Sequence, residues 1–200
     1  MASTSNRLEI YNHALGYIGT RTIGSPNERT PEAIQCELFW DRARRSALRD
    51  YPYRFAVRRM RLPEIDLPDV YAGEWCHAYG VPDTVLRVLR VHQGRERGNR
   101  RPFSLEQIDA GPIILCNVEQ AMATCIVDVE DISRWDEAFI QCMARKLAYM
   151  IAVPLLKDHG KVQALAQQYQ AAIPQGEGVD GAESVDRREP DAWLMARGRW

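Results

Sequence analysis

Apolar side chains recur at helical spacing near both ends of this chain and at alternate positions through its middle. Leu8, Tyr11, Leu15 and Ile18 fall on one helical face within residues 5–19, with Ser5 or Asn6 as N-cap and Gly19 placed to stop the helix. Ile23 to Asn27 is a turn-rich connection. Thr30-Pro31-Glu32 then supplies a capping hydroxyl, a proline suited to the first helical position and an acid at the positive end of the helix dipole. A second helix is predicted from Pro31 to about Asp50, ended by Pro52, burying Ile34, Leu38 and neighbouring Phe39 while Arg42, Arg45 and Arg49 line another face.

From Tyr53 to Asp131 the period changes to two. Tyr53, Phe55 and Val57 alternate with arginines, Trp75, His77, Tyr79 and Val81 alternate with smaller residues, and Leu86 to Val91 is a short β-branched run. Ile113 to Leu115 follow Gly111-Pro112, and Ala123 to Val129 reads as the best strand. This pattern predicts four to six strands, with the segments Leu62 to Val70 and Gly94 to Pro102 as exposed connections.

Helical spacing returns after Ser133-Arg134-Trp135-Asp136, a sequence resembling a capping box, with Phe139, Met143, Leu147 and Met150 as the core face of helix three. Pro154 kinks or ends that helix. Helix four follows His159-Gly160, turns Val162, Leu165, Tyr169 and Ile173 inward, and stops at Pro174. Residues 175–190 are rich in glycine and charge, and lead to an apolar tip at Trp193-Leu194-Met195 and Trp200. The expected fold is therefore α+β: a four-helix bundle built from residues 1–52 and 132–174, a β-rich insertion over 53–131, and an extended C-terminal arm over 175–200. An apolar tip on a polar tether suits an anchor for a partner.

Composition narrows the class. The 200 residues can bury one substantial core. The longest apolar run, Leu147 to Leu156, is broken by Pro154, so no membrane span is expected, and the polar start Met1 to Arg7 lacks the apolar stretch of a secretory signal. These features predict a protein made in the cytoplasm. The five cysteines, Cys36, Cys76, Cys116, Cys125 and Cys142, sit in apolar contexts without metal-ligand spacing and read as buried free thiols. A net charge of −1 and a pI near 6.4 are far from the basic balance of a dedicated nucleic-acid binder. Of the 26 basic residues, all but Lys146, Lys157 and Lys161 are arginines, a bias suited to bidentate contacts at protein interfaces.

Little in the sequence points to catalysis. Gly176-Glu177-Gly178-Val179-Asp180-Gly181 matches G-x-G-x-x-G, yet it follows Pro174 instead of a strand, and its acids would repel phosphate. No histidine motif accompanies a cysteine, and His13, His77, His92 and His159 form no metal set. Paired carboxylates of a cell-wall or glycan hydrolase could come from Glu64, Asp66 and Asp69, or from Asp128, Glu130 and Asp131; solvated loop acids are the plainer reading. Arg42, Arg44, Arg45, Arg49, Arg54, Arg58, Arg59 and Arg61 fall within twenty residues. They would either follow a DNA backbone, as in a DNA-binding module, or pair with acids on a neighbouring copy, the reading preferred because the near-zero net charge does not suit a tight grip on DNA. Arg95, Arg97, Arg100 and Arg101 form a second basic group in a predicted loop.

Three segments in fixed order carry a resemblance. The first runs from Asn12-His13-Ala14-Leu15-Gly16-Tyr17-Ile18-Gly19 through Pro31 to Tyr51, and closes on Tyr53-Arg54-Phe55-Ala56 with Arg59 and Leu62. The second is Trp75-Cys76-His77-Ala78-Tyr79-Gly80-Val81-Pro82-Asp83 with Leu86-Arg87-Val88. The third comprises Trp135, Phe139, Leu147, Ala148, Ile151 and Pro154-Leu155, with Asp191-Ala192-Trp193 near the end. In order and spacing this resembles the head-to-tail adaptors of short-tailed bacteriophages, also called tail tubular protein A, although Cys125 stands where that family usually has an aromatic. The resemblance implies a structural, non-enzymatic virion protein without cofactor, forming a twelve-fold ring between the portal and the tail nozzle, through which double-stranded DNA passes. It implies a portal-binding arm at Trp193, Leu194, Arg197, Arg199 and Trp200. Arg42, Arg45, Arg49, Arg58 and Arg59 would face acids such as Glu32, Glu37 or Asp136 of the next subunit, and Arg95, Arg97, Arg100 and Arg101 would face the tail.

Overall fold

The computed structural model describes residues 2–93, 101–156 and 158–173. Helix α1 spans Ala2–Ile18, so it starts before Ser5 and Asn6, which lie inside it instead of capping it. Its end is as the glycine predicts: Gly19 takes φ +74°, a conformation that disfavours a β-carbon. The Thr20 and Gly19 amides donate back to the Leu15 and Gly16 carbonyls, both at 3.1 Å. Helix α2, Pro31–Asp50, begins where the Thr30 hydroxyl accepts the Ala33 amide. Helix α3, Glu137–Leu156, is capped by the Asp136 carboxylate, which accepts the Phe139 amide at 2.7 Å; Ser133 belongs to a preceding 3-10 turn, Ile132–Arg134. Pro154 is accommodated inside α3, and α4, His159–Ala172, is capped by Asp158.

Seven strands form two antiparallel sheets: β1 Val57–Arg61, β2 Glu64–Ile65, β3 His77–Gly80, β4 Val85–Gln93, β5 Phe103–Ile108, β6 Gly111–Cys116 and β7 Ala121–Val127. One sheet has the order β1-β7-β4, the other β2-β3-β6-β5. The segment Leu62 to Val70 is thus not an open loop, because Leu62 is buried and Glu64–Ile65 is an edge strand. Tyr79, Ile114 and Cys116 of the second sheet meet Val88, Val91, Ala123 and Cys125 of the first in a core between the sheets. Ala78, Ile113 and Leu115 point the other way, under Tyr71 and Trp75.

This arrangement corrects the expected four-helix bundle. α3 packs extensively against each of α1, α2 and α4, whereas α1 meets α2 and α4 over much smaller areas, so the four helices do not close around a shared axis. α2 also packs on β4 and β7. Leu86, Ile126 and Val129 from the β segment enter the same core as Trp40, Phe139 and Leu147, so the strands are a wall of the helical core and not a projection from it. By length and composition alone α3 could cross a membrane. Here Phe139, Met143, Leu147 and Ile151 are its buried face.

The physical reason lies in α2. Its inner face is Ala33, Cys36, Trp40, Ala43, Arg44, Ala47 and Leu48, mostly small residues that admit close approach, with Trp40 as the one bulky anchor. Trp40 stacks on Trp135 at 5.8 Å between centroids, and Trp135 meets Phe139 edge-on at 4.8 Å. Tyr53 joins Phe139 at 4.9 Å, so the first and third of the ordered segments share one aromatic core.

Candidate functional site

With its inner face occupied by small residues, α2 turns the expected core residues outward. Ile34 is 52% and Leu38 68% exposed, and at helical spacing they continue into Arg42, Arg45 and Arg49, all exposed. Two large apolar side chains and three arginines thus form one stripe along the outside of α2. Among the described residues, Arg42 and Arg49 make no salt bridge, and Arg45 reaches only Asp128, at 3.5 Å.

Arg44 behaves differently. It is 4% exposed; its Nη1 meets Asp41 at 3.2 Å, and its Nη2 meets Asp128 at 3.0 Å and Glu130 at 3.3 Å. It ties the connection after β7 onto α2. Asp128 and Glu130, considered as paired catalytic acids, are therefore engaged by arginine, while Asp131 caps the turn at Ser133. These contacts line one wall of a cleft of about 550 Å³. On its other wall the Arg7 guanidinium lies 4.6 Å from the Trp40 ring centroid and pairs with Glu37 at 2.9 Å. Burial, with Glu37 accepting a hydrogen bond from its hydroxyl, holds the Tyr11 phenol far above its ordinary range.

Strand register sorts the remaining arginines. Arg59 and Arg90 both lie opposite Thr124, and Arg87 lies opposite Ile126, so these arginines share one face of the first sheet with Arg61. The Arg87 guanidinium donates to the Arg49 carbonyl at 3.2 Å, which brings this face up to the end of the α2 stripe. Arg87 and Arg90 lie outside the arginine run that the sequence marks. Two irregularities in the β4 register, between Val85 and Arg87 and between Val88 and Arg90, hide the alternation that would mark Arg87 and Arg90. Arg58, opposite Cys125, lies on the other face. Arg101 is exposed, and its amide bonds to the Val91 carbonyl at 3.1 Å, placing it beside Arg90. Arg95, Arg97 and Arg100 lie outside the described residues, as do Trp193, Leu194, Arg197, Arg199 and Trp200.

Other candidates resolve into local contacts. Glu32 pairs with Arg21 at 3.3 Å, Glu37 with Arg7, and Asp136 caps α3, so all three acids expected to face a neighbour are engaged within the chain. His77 Nδ1 is 2.8 Å from Glu64 at the exposed edge of the second sheet. His92 is buried, 3.5 Å from an Arg59 nitrogen and 3.3 Å from the Thr124 hydroxyl. Four cysteines are buried as expected, but Cys76 is exposed. Among the described residues no three histidine, cysteine or acidic side chains gather as a metal site. Compared with protein-family models and with curated proteins, the chain matches none.

Proposed function

We propose that this chain is a structural head-to-tail adaptor: copies of it assemble as a ring between the portal and the tail nozzle of a phage particle, and DNA passes through. The observation that carries this reading is the α2 stripe. Ile34 and Leu38 exposed in line with Arg42, Arg45 and Arg49 are costly to leave in water and match the apolar-plus-arginine composition of a protein interface. The ordered segments that resemble the adaptors add to it. In a ring the stripe meets a different patch of the next subunit, repeated around the axis, and the arm from Trp193 to Trp200 engages the portal. Native mass spectrometry of the chain with and without the portal of the same phage tests this. A stoichiometric ring on the portal, lost in Leu38→Glu, is expected; a chain that ignores the portal overturns the reading.

A second reading, a DNA-binding module, is favoured by the sheet face bearing Arg59, Arg61, Arg87 and Arg90. Its mark would be duplex affinity that falls steeply with salt, with a slope reduced by Arg87→Ala and Arg90→Ala.

A further inference from the structure

The α2 stripe has a direction, and the residues that follow α4 have the same one. Tyr169, near the end of α4, donates its hydroxyl to Asp50, the last residue of α2. Lys146 of α3 secures this corner, 3.3 Å from the Asp50 carboxylate. The chain therefore leaves α4 at the C-terminal end of α2, the end at which the stripe carries its arginines. Residues 174–200 then present, in order, an acidic stretch and an apolar one. Between 177 and 191 there are six acids, Glu177, Asp180, Glu183, Asp186, Glu189 and Asp191, against Arg187 and Arg188, a net of −4. Trp193-Leu194-Met195 follows immediately. On α2 the sequence met from that corner is Arg49, Arg45 and Arg42, then Leu38 and Ile34.

We propose that in the free chain its own C-terminal segment lies along α2, its acids against Arg49, Arg45 and Arg42 and its Trp193-Leu194-Met195 over Leu38 and Ile34. The span permits it: Arg49 to Ile34 is about 22 Å at ~1.5 Å per helical residue, whereas the twenty residues from 174 to 193 can extend over ~65 Å. Complementarity is of both kinds, cation to anion and apolar to apolar, and the order along the two segments agrees. The segment supplies what the stripe lacks, since Glu32, Glu37 and Asp136 are already committed elsewhere in the chain.

The consequence for assembly, which rests on the adaptor reading, is a latch. One stripe cannot hold its own arm and a neighbouring subunit together, nor can one arm hold α2 and the portal. Docking of the arm on the portal then uncovers α2 for the next subunit, and ring growth is confined to the portal.

The test uses the full-length chain with a photo-crosslinking benzoylphenylalanine in place of Leu38. After illumination of the dilute protein, trypsin cuts at Arg188 and Arg197, so the tip is released as one peptide, 189–197. The expected product is that peptide joined to the α2 peptide in chains of monomer mass. Its yield should fall about tenfold when Arg42, Arg45 and Arg49 are each changed to Glu. A link found only at dimer mass gives the stripe to a second copy and overturns the latch, as does a chain whose photoproducts omit residues 189–197. The portal experiment can fail while this link forms, or succeed without it, so the two proposals are separable.

Discussion

Cys76 is the thiol that a buried-cysteine reading misjudges, because it sits between Trp75 and His77 in the bend just ahead of β3 and not within the buried strand. One alkylated thiol per native chain is expected with iodoacetamide, located at Cys76 by mass mapping; labelling of Cys125 before unfolding would contradict the core between the sheets. Burial pushes Cys36 up to about 12 and Cys125 up to about 11. A thiol whose pKa is higher in the folded chain than in the unfolded one contributes stability that is complete below the unfolded value, near 9, and lost as pH rises through the folded one. The urea midpoint should therefore drop between about pH 8 and about pH 10.5. Arg44 offers a second test at this scale. Replacing it with Met leaves Asp128 buried with only Arg45 near it, and should cost about 3 kcal/mol by urea denaturation. The double change Arg44→Met with Asp128→Asn should recover part of that loss.

At the scale of elements, α2 shows what the sequence reveals and what it withholds. Its limits follow from Thr30, Pro31 and Pro52, local groups whose chemistry does not depend on the rest of the fold, and the end of α1 follows from Gly19 in the same way. The buried face does not follow. Size favours Ile34 and Leu38, but a stripe must continue, and theirs runs into arginine while Ala33, Cys36, Trp40, Ala43 and Ala47 run unbroken. Tertiary contact selected the smaller residues because α3 approaches closely there. Trp40→Ala should accordingly cost about 3–5 kcal/mol, and Leu38→Ala should change the folding free energy by less than about 0.5 kcal/mol. Equal effects in chemical denaturation would mean that the helix is rotated. The arginine face of the first sheet was hidden for another reason: it depends on β1 and β4 lying on either side of β7, a pairing between residues far apart in sequence.

For the whole molecule, the two ends of the chain and its middle share a core, and the predicted separation into bundle and insertion fails on that sharing. Leu147, in the middle of α3, is fully buried in that core. Leu147→Ala should cost about 2–5 kcal/mol, and tryptophan fluorescence and far-ultraviolet circular dichroism should shift together, since one transition governs both. If fluorescence moved alone, the sheets would be an independent unit.

The central place of α3 also sets a clock. α1 and α2 meet chiefly through Tyr11, Trp40 and the Arg7–Glu37 pair, and the helix against which both pack most extensively begins only at Glu137, after residues 51–136. At about 5–20 residues per second a ribosome needs roughly 4–17 seconds to make that stretch. Throughout that interval Tyr11 and Trp40 have each other, but Leu15 and Leu48 still lack the helix that completes their core. The nascent chain therefore passes through a vulnerable period whose length is fixed by the order of its elements, and slower translation lengthens it without changing a single contact in the finished protein.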